Sequence, residues 1–256
     1  MIELLTELNK FNDIVFNEEN HTYKHGGVDC ISVTSVIGLY KEEFDTQKIA
    51  TAYAVKRGLS VFDVIEEWDT KKEQSIVKGS HFHKYMELKY ACKEYEEATR
   101  IRLLGDEDND IYAISKTFDI GDKFYNDTKE KLIPIRSEMV VGDKDRRICG
   151  MIDQLFYNVK ANEIQIWDYK TNKEIKKQND YKKKMINGLW HLDECEFNTY
   201  SLQLALYKKI IEKNTNLKLG NSYICWVNEK NDTYIPYQMD DMSNEVEHIW
   251  SNLKAA

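Results

Sequence analysis

Asp153, Asp168 and Lys170 are the residues whose types and spacing could carry chemistry. They lie in the run from Gly150 to Thr171, GMIDQLFYNVKANEIQIWDYKT, which reads as two strand-like segments joined by a polar turn at Val159 to Glu163. The midpoint between the two aspartates falls between Lys160 and Ala161, inside that turn, so a hairpin sets the two carboxylates opposite each other. Side chains alternate faces along a strand, which puts Asp168 and Lys170 on one face and Trp167 and Tyr169 on the other. Two carboxylates and one ammonium at a single spot suit metal-dependent phosphodiester cleavage. The acids hold a hard divalent cation, and the lysine orients water and offsets phosphoanion charge. Alone, Asp-x-Lys is a common pattern that a solvated strand end also explains.

Other groups are spaced to join them. Gly79, His83 and Glu87 recur every four residues, so on a helix they stack along one face. The glycine permits a close approach by backbone or substrate, and a neutral imidazole beside it can complete a metal shell. His81 points off that face and reads as an ordinary helical histidine. Glu138 stands on the strand before the first aspartate strand, where a glutamate either faces solvent or sits beside Asp153. Tyr200, Gln203 and Tyr207 form a stripe at i, i+3 and i+7 within an apolar helical run, FNTYSLQLALYKKIIEK. A buried tyrosine there is ordinary, but a glutamine within such a run needs a partner.

These residues must be positioned by a recognisable order of elements. A short helix opens the chain, followed by strand, turn, strand, a Gly-Gly turn and a third short strand within DIVFNEENHTYKHGGVDCISVTSVI. Ser32 and Thr34 are candidate caps for the helix that follows. Residues 45–75 show helical periodicity broken at Gly58; further helices are expected over about 75–98 and 111–132, separated by an acidic loop, Gly105 to Asp110. After Pro134 the pattern turns to consecutive strands. The helix carrying Gln203 follows, then two more strands, SYICWVN and DTYIPYQM, and a terminal helix over Ser243 to Leu253. The expectation is one α/β unit spanning 1–256, mainly helical over 1–132 with a sheet-containing core over 133–256.

Composition narrows the class. The chain has 256 residues, 42% hydrophobic and 12% aromatic, enough for one packed domain and unlike a disordered chain. No apolar run approaches the ~20 residues that span a bilayer. The acidic, amphipathic start MIELLTELNKFND lacks the basic and apolar segments of a signal peptide. A cytoplasmic protein is expected, in a bacterial cell or a phage-infected host. Cys30, Cys92, Cys149, Cys195 and Cys225 are far apart with no CxxC pair, which argues against a zinc ribbon or a disulfide framework. The net charge of −8 is awkward for a nucleic-acid enzyme, since phosphate binding needs local positive charge. Residues 170–184 could supply it, with seven lysines against one Glu and one Asp. Lys173, Lys176, Lys177, Lys182, Lys183 and Lys184 are the candidate nucleic-acid contacts; a solvated charged loop is the equal alternative.

Taken together and in order, these residues resemble the PD-(D/E)xK nuclease superfamily, and within it the RecB-type exonuclease branch. That branch carries a glycine, a helical His and Glu (here Gly79, His83, Glu87), a strand Glu (Glu138), Gly-x-x-Asp (Gly150 to Asp153), Asp-x-Lys (Asp168, Lys170) and Gln-x-x-x-Tyr (Gln203, Tyr207). The stretch NHTYKHGGVDCISVTSVIGLY is similar to the opening of phage and bacterial members. The resemblance covers most of residues 14 to 210, and only the full ordered set is specific. It implies a restriction-endonuclease-like central mixed sheet flanked by helices, with an N-terminal hairpin and helical part. It implies that His83, Asp153, Asp168 and the main-chain carbonyl of Tyr169 bind Mg²⁺ or Mn²⁺ and that Lys170 positions water. Gln203 would organise Lys170 or the substrate, Tyr207 would support its helix face, and Glu87, Glu138 and Tyr200 are further candidate partners. Some members carry an iron–sulfur cluster on one upstream and three clustered cysteines; the wide spacing of Cys195 and Cys225 predicts none here.

The function implied is a metal-dependent DNA exonuclease acting on single- or double-stranded ends in recombination, repair or phage DNA processing, with a recombination or single-strand-binding protein as a conceivable partner. The alternatives are a structure- or sequence-dependent endonuclease of the same fold and a non-catalytic nucleic-acid-binding protein.

Overall fold

The computed structural model describes residues 2–91 and 108–253. The chain begins with helix α1 (Ile2–Leu8), strands β1 (Ile14–Asn17), β2 (Thr22–His25) and β3 (Val28–Ser32), and the short helix α2 (Val33–Gly38). Helices α3 (Thr46–Arg57), α4 (Val61–Tyr90) and α5 (Asp108–Thr128) follow. Then come β4 (Leu132–Asp143), β5 (Ile148–Asn158), β6 (Glu163–Lys170), α6 (Glu196–Asn214), β7 (Leu219–Trp226), β8 (Ile235–Gln238) and α7 (Ser243–Asn252). The architecture is a mixed α/β sheet flanked by helices, as expected. No helix among the described residues is long and apolar enough to cross a membrane.

Local chemistry explains where the helices begin. Ser32 caps α2 by accepting from the Ser35 amide; Thr34, the other candidate cap, lies inside that helix. Gly58 ends α3 in a left-handed conformation, φ +67°, that a glycine adopts without strain. Two residues later Ser60 and Asp63 form a reciprocal capping box that starts α4.

The expected break near residue 75 is absent, and α4 runs unbroken from Val61 to Tyr90. Its middle, 69–77, is exposed on every side. That span shows no apolar stripe, yet its Lys, Glu and Gln are good helix formers, aided by the i,i+4 pair Glu67–Lys71. Residues 92–98 of the helix expected over 75–98 lie outside the described residues. So do residues 105–107 of the expected acidic loop, while 108–110 belong to α5. That helix ends at Thr128 and not at Leu132, which already opens β4.

Strand β5 organises the sheet. Along one edge it pairs antiparallel with β4 over most of its length, with a register shift between Pro134 and Arg136, where proline offers no amide to the ladder. Its other edge is divided. Ile148 and Cys149 pair parallel with β3, and Gln154 to Asn158 pair antiparallel with β6. Between them, positions 150–153 have no strand partner on that side among the described residues. The sheet is therefore split at its centre, and Gly150 and Asp153 lie at the split.

Each face of the sheet carries a core. Leu155 and its cross-strand partner Ile166 belong to the core that includes Leu206 and Ile210 of α6 on one side. Phe156, Trp167 and Tyr169 pack with Phe82 and Met86 of α4 and Phe124 of α5 on the other. Adjacent residues such as Leu155 and Phe156 enter opposite cores, as strand alternation requires.

Candidate active site

The hairpin of β5 and β6 has the anticipated register. Gln154 faces Trp167 and Leu155 faces Ile166, which makes Asp153 the residue opposite Asp168. The ladder stops one step short of that pair. Instead, the Tyr169 amide donates to Asp153 Oδ2 at 2.7 Å, so the carboxylate takes the place of a strand carbonyl. Asp153 and Asp168 are both buried, 7% and 1% exposed, so neither is a solvated strand end.

Helix α4 crosses above them. His83 Nδ1 lies 3.5 Å from Asp153 Oδ2, and its Nε2 lies 3.0 Å from the Tyr169 carbonyl oxygen. A carbonyl can only accept, so Nε2 carries hydrogen. In the neutral ring the Nδ1 lone pair is then left facing the carboxylates, an arrangement that orients a metal-binding imidazole. The Tyr169 carbonyl, expected as a ligand in its own right, thus sits on the ring's other nitrogen.

Glu138 completes the group: ligand atoms of His83, Glu138 and Asp153 all lie within 4.8 Å of one another. Register places Glu138 across from Asp153 on β4, between the pairs Ser137–Gln154 and Met139–Ile152. Its backbone is left-handed, φ +46°, an unfavourable state for a glutamate that tends to persist at functional sites.

The charges in this cluster are mutually dependent. Burial, with the nearby Asp153 charge, pushes the Glu138 carboxyl up to about 8. Burial and Asp153 likewise raise Asp168 to about 6. Asp153 itself is held below the usual carboxylate range: burial opposes this, and the His83 charge overcomes it. Burial would lower His83, but Asp153 outweighs it and carries the imidazole to about 9. At an effective dielectric near 20, two unit charges 4.8 Å apart repel by about 3–4 kcal/mol. A cation relieves that repulsion, and a His–carboxylate donor set with this spacing fits a divalent metal ion.

Asp168 stands apart from the three-ligand cluster and pairs with Lys170 Nζ. Gln203 Nε2 donates to Asp168 Oδ1 at 3.3 Å and to the Tyr207 hydroxyl at 3.1 Å. The glutamine's buried amide thus finds the partner it needs in Asp168, not in Lys170. Tyr200 accepts from Asn172 at 2.5 Å, and its ring lies 5.0 Å from Lys170 Nζ. Despite burial, which opposes it, the carboxylates of Asp168 and Asp153 raise the Lys170 pKa above its ordinary value.

Apart from Tyr169, Asn172 and Tyr200, which do not line it, these groups open into one cleft of about 750 Å³. Its floor carries Gly150, Asp153, Asp168 and Lys170, one wall carries Gly79, Ser80, His83, Lys84 and Glu87, and Glu138, Gln203 and Tyr207 line it too. Glu87 reaches the cleft but pairs with Lys84 at 2.7 Å, outside the three-ligand cluster. His81 is buried and does not line it. A Cβ at Gly79 would meet Thr171 Oγ1 at 3.6 Å, an ordinary contact, so that glycine is not sterically required.

The lysine-rich segment differs from a free basic patch. Lys176 pairs with Glu174 and Asp180, Lys183 with Glu42, and Lys184 with Asp193. Lys177 lies 4.5 Å over the Phe197 ring, while Lys173 and Lys182 have no carboxylate partner among the described residues. None of the six lines the cleft.

The remaining wall is formed by the β1–β2 hairpin through Phe16, Glu18, His21 and Tyr23. These four residues fall within the strands and turn expected near the start of the chain, and none of them stood among the candidate site residues. Lys84 and Ser80 were also missed, although the four-residue spacing of Ser80 and Lys84 was readable on the helix.

A family model for the PD-(D/E)XK nuclease superfamily matches residues 50–255. No curated protein matches the chain. Among solved structures, a Eubacterium rectale protein provisionally named an exonuclease aligns at 11% identity, covering 86% of this chain and 68% of its own, with a TM-score of 0.36. The crystal structure of SSO0001 aligns at 14% identity over 97% of this chain and 81% of its own, with a TM-score of 0.32.

Proposed function

This chain belongs to the PD-(D/E)XK nuclease superfamily, and from that premise we propose that it is a metal-dependent DNA exonuclease using Mg²⁺ or Mn²⁺. The superfamily hydrolyses phosphodiester bonds with divalent metal ions. What carries the finer reading is the convergence of His83, Glu138 and Asp153 within 4.8 Å, in the same cleft as the Asp168–Lys170 pair.

In this reading His83, Glu138 and Asp153 hold the cation, with Asp168 adjoining. A bound Mg²⁺ or Mn²⁺ supplies neutralisation of phosphate charge and a lowered pKa for water. Lys170, its pKa raised by Asp168 and Asp153 against the effect of burial, keeps its proton at neutral pH. It serves as a fixed cation that orients water and offsets developing negative charge, not as a base. Gln203 holds Asp168 in place, and Tyr207 holds Gln203. Residues 1–256 act as one catalytic unit in this reading, because the core of Phe82, Phe124 and Trp167 joins the helical part to the sheet.

A cleft of about 750 Å³ falls in the ~300–1,000 Å³ class that encloses small ligands, and suits a strand end better than an uninterrupted duplex. Digestion of end-labelled single-stranded, duplex and covalently closed circular DNA, with Mg²⁺, Mn²⁺ or chelator, tests the proposal. Metal-dependent loss of linear DNA alone is expected. Cutting of the circle would make the protein an endonuclease, and retention of DNA without cutting under any metal would make it a binding protein.

A further inference from the structure

We propose that the β1–β2 hairpin is a nucleobase-stacking wall, with Phe16 and His21 receiving an unpaired base of the strand whose phosphate lies over the His83–Glu138–Asp153 cluster. The proposal rests on the nuclease reading for the presence of a polynucleotide in the cleft. The hairpin itself precedes the residues matched by the family model, 50–255, so nothing in that match assigns it a role.

The first observation is the aromatic cluster. Phe16 and Tyr23 are cross-strand partners with ring centroids 4.7 Å apart and planes tilted by 30°. His21 meets Phe16 edge-on, 5.0 Å and 88°. Tyr23 is buried beneath, Phe16 is half-buried and His21 is exposed. Both Phe16 and His21 line the cleft that holds the acidic cluster.

The second observation is that the tip is braced. Asn17 Oδ1 accepts from the Asn20 amide at 3.2 Å, and Thr22 donates to Asn20 Oδ1 at 2.6 Å. His21 is left-handed, φ +55°, a conformation unusual for residues other than glycine, asparagine and histidine. Its ring is thereby set against Phe16 before any ligand arrives.

The third is charge. Glu18 is the only formally charged side chain that the hairpin contributes to the cleft, and the lysines of the cleft, Lys84 and Lys170, stand on α4 and β6. Phosphates need cations, so a strand in this cleft turns its backbone toward Lys170 and the metal-ligand cluster. Its bases then face the hairpin, where stacking on aromatic rings tolerates any sequence. Only a base free of its partner presents a face to such a wall, so the substrate in the cleft is single-stranded or locally unpaired.

The test uses the whole chain with Ca²⁺ in place of Mg²⁺, and short single-stranded oligonucleotides in which each terminal nucleotide in turn is abasic or carries fluorescent 2-aminopurine. Wild-type protein should quench 2-aminopurine at one position and bind the strand abasic there about 5- to 150-fold more weakly, as ~1–3 kcal/mol per stacked base gives. In the variant Phe16→Leu with His21→Asn, chosen to retain apolar bulk and a left-handed residue, that preference and the quenching should vanish. Equal wild-type binding of base-bearing and abasic strands at every position overturns the proposal, whether or not the variant folds. So does a folded variant that keeps the wild-type preference, or one that weakens both strands equally. A blunt duplex bound as tightly as the single strand overturns the requirement for an unpaired base. Cleavage in Mg²⁺ or Mn²⁺ is scored separately, so a wild-type protein that stacks bases but never cuts defeats the nuclease reading and leaves the wall standing.

Discussion

Tyr207 occupies the space that a side chain at position 150 would need: a Cβ built on Gly150 would lie 2.5 Å from Tyr207 Cε1. The absence of a side chain on β5 is therefore part of how the α6 tyrosine reaches Gln203 and, through it, Asp168. Gly150→Ala should displace the Tyr207 ring and cost about 1–3 kcal/mol of stability, the usual range for overpacking a core. Activity should fall further than melting temperature alone explains, because the Gln203–Asp168 contact shifts with the ring. Tyr207→Phe, which removes only the hydroxyl, separates the two effects: the ring stays in place, and the loss is the Gln203 hydrogen bond, about 1–3 kcal/mol for the buried donor left unpaired. A Gly150→Ala protein with wild-type turnover would show that this contact does not matter to the reaction.

The sequence made the hairpin register legible because two apolar runs flank a polar turn, and symmetry about that turn pairs Asp153 with Asp168. Helix spacing likewise placed Gly79, His83 and Glu87 on one face, and all three reach the cleft. The i,i+3 spacing of Lys84 and Glu87 already allowed their ion pair, but spacing left open whether Glu138 would face solvent or join the cluster. That outcome depends on a left-handed glutamate opposite Asp153, a tertiary feature with no local signature. The lysine-rich segment was legible as a charged run, but only part of its pairing was. Lys176 takes Glu174 and Asp180 from within the segment and Lys184 takes Asp193 just beyond it, whereas Glu42, which pairs with Lys183, lies far upstream. The continuity of α4 through 69–77 escaped periodicity because a helix exposed all round has no apolar stripe to detect.

As proposed metal ligands, His83 and Glu138 should set the pH dependence of metal binding. With the imidazole raised to about 9 and the glutamic acid to about 8, both carry protons at pH 7 in the metal-free protein. A cation binds the deprotonated forms, so protons compete with it, and affinity should rise as pH increases from 7 to 9. Binding to the folded state alone stabilises it by about 2.7 kcal/mol at 100 times the dissociation constant. For a chain of this size that is a rise in Tm of roughly 5–10 °C. Melting curves with Mn²⁺ should show this shift growing with pH. His83→Ala should weaken metal binding by ~10–100-fold. A metal-induced shift independent of both pH and His83 would place the ion elsewhere.

Asp143 lies outside the cleft and governs acid stability. It is 1% exposed and accepts from the Arg146 amide at 2.8 Å, from Asn214 at 3.0 Å, and from Lys213. Burial acts to raise its pKa, but these donors prevail and hold it below the ordinary 3.8. Because the folded-state pKa is depressed, its stabilisation is present above the unfolded value and is lost as pH falls through the folded one. Asp143→Asn should cost about 1.5–3 kcal/mol at pH 7, the range for hydrogen bonds to a charged group. It should also flatten the stability loss below pH 4. Denaturant titrations of both proteins between pH 3 and 7 measure this, and parallel acid profiles would refute the assignment.

Lys170 and Asp168 separate catalysis from folding. Removing one partner of a buried pair ordinarily leaves an uncompensated charge at a cost of several kcal/mol. Here burial, together with Asp153, has already moved Asp168 up to about 6, so without the lysine it can take a proton and remain buried as a neutral acid. Lys170→Met should therefore fold with a modestly lowered Tm while losing the cation proposed to face the phosphate. The expected fall in cleavage rate is roughly 100-fold or more, the scale for removing one preorganised electrostatic contact. Asp168→Asn keeps the shape and a donor–acceptor group for Gln203 but removes the charge paired with Lys170. It too should depress the rate with little change in melting. Single-turnover cleavage of end-labelled DNA, alongside thermal melts of each variant, reads both quantities. Near-wild-type cleavage by Lys170→Met with an unchanged Tm would remove the lysine from the mechanism.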